Sequence, residues 1–354
     1  MDGPPLLIGV LHDYPAADGG AGFEWAARRG FEEVAATGRL PGPVEFVHQH
    51  AAGLPFPGGS ARSVQDAFHA LDGAGVLAIL GPAVSDNAIV ARPLADESGI
   101  ATLNYTGADE SRGECAFHFQ IGSLEDEPSF LANHLAERDL TRVALIQDSS
   151  YIGRRMSEFF EDACAVAGLE LIARTMTPVD VVDARNAVAT VRASDPDVLI
   201  TLGLWNLPRA VSEALRETDW SIPTTANSAL IYGYADPQWA RGWDGWTYID
   251  TVSESNPRYR AFVDAASAAG HAGGPGAAGI YDMGRLLAEG IARARSLTRD
   301  QIVRGLERVR SLPSATGRPD VLMGFGRYDR GALKGQYLVI RQWRDGRSIE
   351  WPAE

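Results

Sequence analysis

Residues 76–89 read VLAILGPAVSDNAI, an apolar run followed by Gly-Pro and then by a segment of helical character. A short apolar run that ends in a turn and a helix is typical of a buried strand in a parallel sheet. Ser85 lies where the predicted helix begins. It either caps the helix or holds a ligand at the positive helix end, and both interpretations stay open at this point.

The same alternation of strand and helix occurs on both sides of this stretch. Predicted strands lie at 6–11, 44–49, 76–80 and 100–105, and then at 142–147, 169–175, 197–203 and 222–226. Predicted helices lie at 22–36, 126–138, 152–168, 183–193 and 207–217. Regular alternation indicates βαβ units with parallel sheets and right-handed crossovers. The two sets of strands predict an α/β protein with two Rossmann-like lobes.

The pattern changes after residue 250. Helical segments are predicted at 256–270, 277–296 and 298–309, before strand-like runs at 321–327 and 336–343. These late elements must pack onto the earlier lobes. The chain is therefore expected to cross between the lobes more than once.

Charge and length narrow the classes of partner. The formal net charge of −14 over 354 residues argues against nucleic acid or an anionic membrane surface, because both require clustered cations. No apolar run approaches the about 18 residues of a membrane-spanning helix, so no direct membrane insertion is expected. The N-terminus shows no basic region before its first strand, so the chain is either cytoplasmic or has lost an export signal. Pairing of Cys115 with Cys164 stays open.

The sequence offers little for catalysis. It contains no G-x-S-x-G or G-x-G-x-x-G motif, and its single lysine, Lys334, does not belong to a phosphate-binding loop. His48 and His50 share a strand face, but no third metal ligand has matching spacing. The acids of 125–127 precede Pro128 and suit the first turn of a helix. We predict no enzyme, no metal and no cofactor.

Polar residues follow several predicted strands where ligands bind in open parallel sheets, at the carboxyl ends of the strands. These groups are His12-Asp13-Tyr14, Ser85-Asp86-Asn87, Asn104-Tyr105-Thr106 and Asp148-Ser149-Ser150-Tyr151.

Together these strand ends resemble the type I periplasmic binding proteins, in particular the branched-chain amino acid-binding group of ABC transporter substrate-binding proteins. The resemblance covers essentially the whole chain and is carried by LLIGVL, VLAILGPAVS, ESGIATLNYTGADE, RVALIQDSSYIGR, DPDVLITLG and AAGIYDMGRLLAEGI. It implies two lobes joined by a three-strand hinge, with a ligand enclosed between them. The implied lobes are 1–120 with 251–325, and 121–250 with 326–354.

The resemblance also implies roles for single residues. The carboxylate-binding serine of the family falls on Ser85, the neighbouring strand exit falls on 104–108, and a tyrosine of the second lobe falls on Tyr151. The exit Asn104-Tyr105-Thr106 is also similar to the cytoplasmic amide sensor of amidase operons. In that sensor a serine and a threonine matching Ser85 and Thr106 hold a small amide.

Two departures from the amino acid binders concern the ligand. Ala108 stands where they have a threonine, and no acid lies near 227–228 to pair with the ligand's ammonium group. A buried ammonium without a charge partner costs several kcal/mol, so a zwitterionic amino acid fits poorly unless Asp13 or Asp148 reaches it.

We therefore expect a non-enzymatic protein that binds a small carboxylate or amide with an apolar body, for an ABC-type importer and its permease. The alternative is a cytoplasmic sensor that acts on a regulatory protein. The predicted ligand-binding residues are Tyr14, Ser85, Asn104, Tyr105, Thr106, Tyr151, Trp205 and Asn227.

Overall fold

The computed structural model describes residues 3–14 and 20–351. The chain divides into two compact units and passes from one to the other three times. Unit 1 comprises Met1–Ile121 and Val252–Tyr337, and unit 2 comprises Gly122–Thr251 and Leu338–Glu354.

The segment 326–337, which the sequence places in the second lobe, belongs to unit 1. The His118 N–H donates to the Arg330 carbonyl at 2.8 Å, and the Ala332 N–H donates to the His118 carbonyl at 2.8 Å. These backbone bonds continue the first sheet past residue 325. The chain therefore leaves unit 1 later than the resemblance implies.

Strands and helices alternate as predicted. The helices are α1 (Ala21–Ala35), α2 (Ala61–Gly73), α3 (Ser85–Ser98), α4 (Glu127–Ala136), α5 (Tyr151–Ala167), α6 (Arg185–Arg192), α7 (Asn206–Glu217), α8 (Pro237–Gly242), α9 (Pro257–Ala268), α10 (Pro275–Arg293) and α11 (Arg299–Leu306). The strands are β1 (Leu6–His12), β2 (Val44–His50), β3 (Ala78–Leu80), β4 (Ala101–Thr106), β5 (Ala116–Gln120), β6 (Arg142–Asp148), β7 (Glu170–Thr177), β8 (Val198–Leu202), β9 (Thr224–Ala226), β10 (Thr247–Asp250), β11 (Leu312–Pro313), β12 (Leu322–Met323), β13 (Leu333–Lys334), β14 (Val339–Arg344) and β15 (Arg347–Glu350).

Unit 1 is built around a parallel sheet with the order β2-β1-β3-β4-β5. Every residue of β3, β4 and β5 is buried, as expected where helices cover both faces of a parallel sheet. The short strands β11, β12 and β13 form a separate antiparallel sheet. The sequence pattern missed β5 because two of its residues, His118 and Gln120, are polar. Gln120 can be buried because its side-chain oxygen accepts hydrogen bonds from the Ala332 and Leu333 N–H groups, at 3.0 and 2.9 Å.

Unit 2 contains a sheet with the order β15-β14-β10-β9-β8-β6-β7. Its strands β10, β9, β8, β6 and β7 are parallel. The C-terminal hairpin of β14 and β15 is antiparallel to β10 and within itself. The predicted α/β class with two parallel-sheet lobes is confirmed, with this hairpin as an addition.

Helix packing fixes the core of unit 1. Helices α1 and α10 approach each other closely enough that a Cβ at Gly30 would lie 2.4 Å from the Tyr281 carbonyl oxygen. The core of unit 2 includes Trp243, Trp343 and Tyr248, all nearly inaccessible to solvent. Cys115 and Cys164 are free thiols. Within the described residues, we find no helix with both the length and the apolar character to span a membrane.

Candidate functional site

The turn between β3 and α3 is organised by Asp13, which follows β1. Its carboxylate accepts the Ala83 N–H at 2.8 Å, the Val84 N–H at 2.9 Å and the Asn87 side-chain amide at 2.8 Å. Burial raises the pKa of Asp13 to about 6, although these three donors favour the charged form. Asp13 is thus a bracing residue whose oxygens are already hydrogen-bonded.

Ser85 is not the cap of α3. Val84 occupies the N-cap position, and no side chain caps this helix by a hydrogen bond. Ser85 is the first helical residue and only 2% exposed. Its hydroxyl makes no hydrogen bond to any residue within 3–14 and 20–351. The capping interpretation is therefore wrong, and the positive end of a 14-residue helix carries a buried hydroxyl that can still donate.

The end of β4 places its predicted site residues on opposite faces. Asn104 and Thr106 face one way, with the Thr106 hydroxyl donating to Asn104 Oδ1 at 3.1 Å and the Ser111 hydroxyl donating to the same oxygen at 3.2 Å. Successive strand residues alternate in direction, so Tyr105 points the other way, and its hydroxyl donates to the Pro275 carbonyl at 3.3 Å. The polar groups of Asn104 and Thr106 thus bond to one another.

His118 on β5 supports the same network. Its Nε2 lies 2.7 Å from the Thr106 carbonyl oxygen. Burial and the nearby Arg112 guanidinium lower the pKa of His118 to about 3, so the ring is neutral and donates to that carbonyl.

Three histidines in the last residues of β1 and β2, namely His12, His48 and His50, form a stack. His12 Nε2 lies 2.9 Å from His48 Nδ1, and the His12 and His50 ring centroids are 4.5 Å apart with planes 13° from parallel. Among the residues of the described part of the chain, no cluster of metal-ligating side chains is suited to hold an ion. Tyr14 is half-buried just beyond this stack.

In unit 2, the carboxyl ends of β6 and β8 are joined by Asp148. Its carboxylate accepts the Ser150 N–H at 3.0 Å, the Ser150 hydroxyl at 2.5 Å and the Leu204 N–H at 2.6 Å. Ser150 in turn caps α5 by accepting the Gly153 N–H at 2.9 Å. Burial raises the pKa of Asp148. Both carboxylate oxygens of Asp148, like those of Asp13, accept hydrogen bonds from other groups of the chain.

Asn227 follows β9 and braces the end of β8. Its side-chain amide donates to the Gly203 carbonyl at 3.0 Å and accepts the Gly203 N–H at 3.4 Å. The residue is 3% exposed. Both ends of the amide are therefore engaged with backbone.

An acid does lie beside Ser228, which the sequence pattern missed. The Glu127 carboxylate, at the start of α4, accepts the Ser228 N–H and hydroxyl at 2.9 Å each and the Ser123 N–H at 2.8 Å. Burial raises the pKa of Glu127 to about 7. The sequence showed the acidic residues before Pro128, but it could not show that Glu127 binds Ser228, because the two residues are 101 positions apart.

Tyr151 and Trp205 lie at the carboxyl ends of β6 and β8, as first residue of α5 and N-cap residue of α7. Both are half-buried. The structure adds Tyr232, which was not predicted, with its ring centroid 4.4 Å from that of Trp205 and the planes tilted by 36°. Of the predicted residues, Ser85 offers a buried free hydroxyl and Tyr151 and Trp205 offer aromatic surface.

Comparison with known proteins points to one family. A family model described as periplasmic binding protein matches residues 5–346. No curated protein sequence matches the chain. The chain is similar in structure to the branched-chain amino acid transporter substrate-binding protein LivJ from Streptococcus pneumoniae in complex with isoleucine, with TM-score 0.82, 16% identity, and 98% of this chain and 100% of that chain covered.

Two further solved structures show the same fold. A periplasmic binding protein type 1 from Bordetella pertussis Tohama I has TM-score 0.82 and 17% identity, with 99% and 100% of the two chains covered. A solute-binding protein of an ABC transporter from R. palustris, in complex with benzoate, has TM-score 0.80 and 16% identity, with 98% and 95% covered. At these identities the likeness concerns the fold.

Proposed function

Because the chain belongs to the periplasmic binding protein family, of type I, we propose that it binds a small carboxylate or amide with an apolar body and delivers it to an ABC-type importer. The family is one of binding and transport proteins. Isoleucine and benzoate, the ligands of the two relatives above, share a carboxylate and an apolar body.

The observation that carries this proposal is the state of Ser85. Ser85 is 2% exposed, and its hydroxyl has no hydrogen-bond partner among the described residues, so the hydroxyl can donate to a ligand. A ligand oxygen at the α3 N-terminus can accept that hydrogen bond and is favoured by the helix dipole.

The buried acids support a ligand without an ammonium group. Asp13, Asp148 and Glu127 each accept three hydrogen bonds from the chain. Each oxygen of these carboxylates already accepts at least one of those bonds, so none of the three is an unpaired charge that needs an ammonium partner.

The alternative function, a cytoplasmic amide sensor, depends on Thr106 as a second ligand contact. The Thr106 hydroxyl donates to Asn104, so it has no proton left for an amide oxygen. We therefore favour the transport function.

We predict that Ser85→Ala weakens binding by about 10- to 150-fold, the effect of about 1.5–3 kcal/mol for a hydrogen bond to a charged oxygen. Suitable probes are benzoate, phenylacetate, 4-methylpentanoate and 4-methylpentanamide, ranked first by thermal shift. A ligand at 100 times its Kd stabilises by about 2.7 kcal/mol. Isothermal titration calorimetry with the tightest probe then compares the variants.

Ser60→Ala is the matched control. Ser60 does cap a helix, α2, by accepting the Ser63 N–H at 3.2 Å. Its loss should lower the free energy of unfolding by about 1 kcal/mol and leave Kd unchanged. An unchanged Kd for Ser85→Ala would refute the proposed role of Ser85.

A further inference from the structure

The loop between β12 and β13 presents an exposed tyrosine. Tyr328 is 90% exposed, although a tyrosine ring stabilises a protein mainly when it is buried. The guanidinium of Arg327 lies over this ring, 5.5 Å from its centroid. That guanidinium makes no hydrogen bond or ion pair with the described residues. The loop therefore exposes an aromatic ring and an unpaired cation side by side.

Hydrogen bonds at its base hold this loop in one conformation. Arg330 is 8% exposed, and its guanidinium donates to the carbonyl oxygens of Gly326 at 2.9 Å and Glu114 at 2.6 Å. The Gly326 N–H donates to the Asp329 carbonyl oxygen at 2.8 Å, and the Lys334 ammonium group binds the Asp329 carboxylate. A side chain presented on such a fixed loop loses less entropy when it binds a partner.

Beside the loop lies an open groove of about 870 Å³. It is lined by residues 112–115, by one face of α11 and by residues 327–330 of the loop, all of which belong to unit 1. Gly99 and Cys115 of the groove precede β4 and β5, whereas Ser85 follows the carboxyl end of β3. The groove therefore lies at the amino ends of these parallel strands, away from Ser85.

Most charges of the groove are paired within the chain. Arg299 binds Asp72 at 2.8 Å. Arg304 and Arg330 bind Glu307 at 3.2 and 2.9 Å. These pairs leave no block of free positive charge, so the groove does not favour a free anion.

Two unpaired charges of opposite sign remain at the groove. Glu114 is exposed, and its carboxylate has no hydrogen bond or ion pair in the part of the chain that the structure describes. Arg327 is the corresponding cation. The exposed loop and the groove share residues 327–330, so they lie on one face of unit 1. A two-fold axis through that face would bring Arg327 of each copy to Glu114 of the other.

We propose that this face of unit 1 is an interface with a second copy of the chain. Tyr328 of each copy enters the groove of the other, and Arg327 pairs with Glu114 across the two-fold axis. Such self-complementarity is what a two-fold interface requires, and tyrosine and arginine often carry the binding energy of interfaces. One loop and one groove per copy make a small interface, so the dimer is weak. No ligand takes part in this contact, which is independent of the proposed function.

Sedimentation velocity of the full chain without ligand, from about 5 to about 300 µM, tests for this dimer. We expect a reversible monomer–dimer equilibrium in the wild type. Tyr328→Ser should weaken dimerisation at least about 30-fold, the effect of losing a residue that dominates an interface.

Reversing the two charges tests the pairing directly. Arg327→Glu and Glu114→Arg should each weaken dimerisation at least about 5-fold, because each reversal acts at two equivalent contacts. The double variant, Arg327→Glu with Glu114→Arg, should return to within about 3-fold of the wild-type Kd, since the opposite charges then face each other again.

Two control variants lie outside the groove. Val182→Ser removes a 73% exposed apolar side chain of unit 2. Arg29→Glu, on the exposed face of α1, changes the net charge by the same amount as Arg327→Glu. Both should dimerise like the wild type. Circular dichroism checks that each variant is folded, and the wild-type measurement stands even if one variant fails to fold.

A wild-type chain that stays monomeric over the whole concentration range would overturn the proposal. A dimer whose Kd is unchanged in folded Tyr328→Ser and in folded Arg327→Glu would also overturn it, because the interface would then lie elsewhere. A double reversal no stronger than its single variants would contradict the pairing of Arg327 with Glu114.

Discussion

Asp13, Asp148 and Glu127 have the same role at three strand ends. Each is buried and accepts donors from segments distant in sequence, up to 101 residues away for Glu127. Such carboxylates hold the loops of a binding edge in one conformation, because each buried N–H group needs an acceptor. They also decide which ligands can approach.

Leucine and 4-methylpentanoate test whether these three acids can accept an ammonium group, since the two ligands differ only by that group. We predict that 4-methylpentanoate raises the melting temperature and that leucine does not, because the three acids are already hydrogen-bonded by the chain and a buried ammonium group without a charge partner costs several kcal/mol. Thermal shift at matched concentrations measures the difference. Micromolar binding of leucine by calorimetry would contradict the prediction and identify one of the three acids as its partner.

Glu127 should make stability depend on pH. Burial raises its folded pKa from 4.5 to about 7. Between these values the unfolded chain has lost the proton and the folded chain keeps it, so the contribution of Glu127 to the free energy of unfolding falls as pH rises. At 1.36 kcal/mol per pKa unit, the loss is about 3 kcal/mol.

Urea unfolding of wild type and Glu127→Gln at pH 4.5, 6 and 8 measures this term as a difference. We predict that the stability of wild type relative to Glu127→Gln declines by about 3 kcal/mol from the lowest to the highest pH. Glu137→Gln, at the exposed other end of α4, is the control for removing one negative charge from the same helix. A constant difference for Glu127→Gln would show that folding does not raise the pKa of Glu127.

At the scale of elements, the contact of α1 with α10 depends on glycine. A Cβ on Gly30 would lie 2.4 Å from the Tyr281 oxygen and 2.6 Å from the Arg285 nitrogen, both backbone atoms of α10. We predict that Gly30→Ala lowers the free energy of unfolding by about 1–3 kcal/mol through overpacking. Chemical denaturation gives the value.

Gly73 provides the matched comparison, because it is also helical, is exposed and has nothing within 4 Å of an added Cβ. Gly73→Ala should raise stability by up to about 1 kcal/mol, the difference in helix propensity. Equal effects at the two glycines would contradict the close packing of α1 on α10.

Other elements show where pattern reading succeeds. The strands β1, β2, β4, β6, β7 and β8 coincide with the predicted runs within a few residues. For β1, β4, β6 and β8, which are almost wholly buried, the reason is that a strand buried on both faces needs mainly apolar side chains. The sequence did not predict β5, because its polar residues His118 and Gln120 can be buried only when distant backbone groups hydrogen-bond to them. Only the tertiary structure supplies those partners.

For the whole molecule, the chain passes between units at 121–122, 251–252 and 337–338. Three connections of this kind allow two units to move as rigid bodies about a few residues. We predict that saturation with the tightest-binding carboxylate lowers the radius of gyration measured by small-angle X-ray scattering. Ser85→Ala at a concentration far below its own Kd should show no change. An unchanged radius for the saturated wild type would contradict binding by closure.

The candidate site was partly predictable. The sequence singled out strand ends as the candidate site, because parallel strands and helix N-termini place functional groups there whatever the exact side chains. It could not assign roles within them. Ser85 had the composition of a helix cap and Asp13 was a possible partner for an ammonium group, and only the structure shows that Asp13 braces the turn while Ser85 stays free.

The sequence by itself determined the α/β class, the two lobes and the family, because alternation, apolar runs and turn residues are local properties that survive without contacts. The tertiary structure decided which polar groups are available to a ligand. A carboxylate, amide or hydroxyl can bind a ligand only if the fold has not already given it a partner, and here those partners lie 70 residues away for Asp13 and 101 for Glu127. Hydrogen bonds over such separations leave no periodic trace in the sequence.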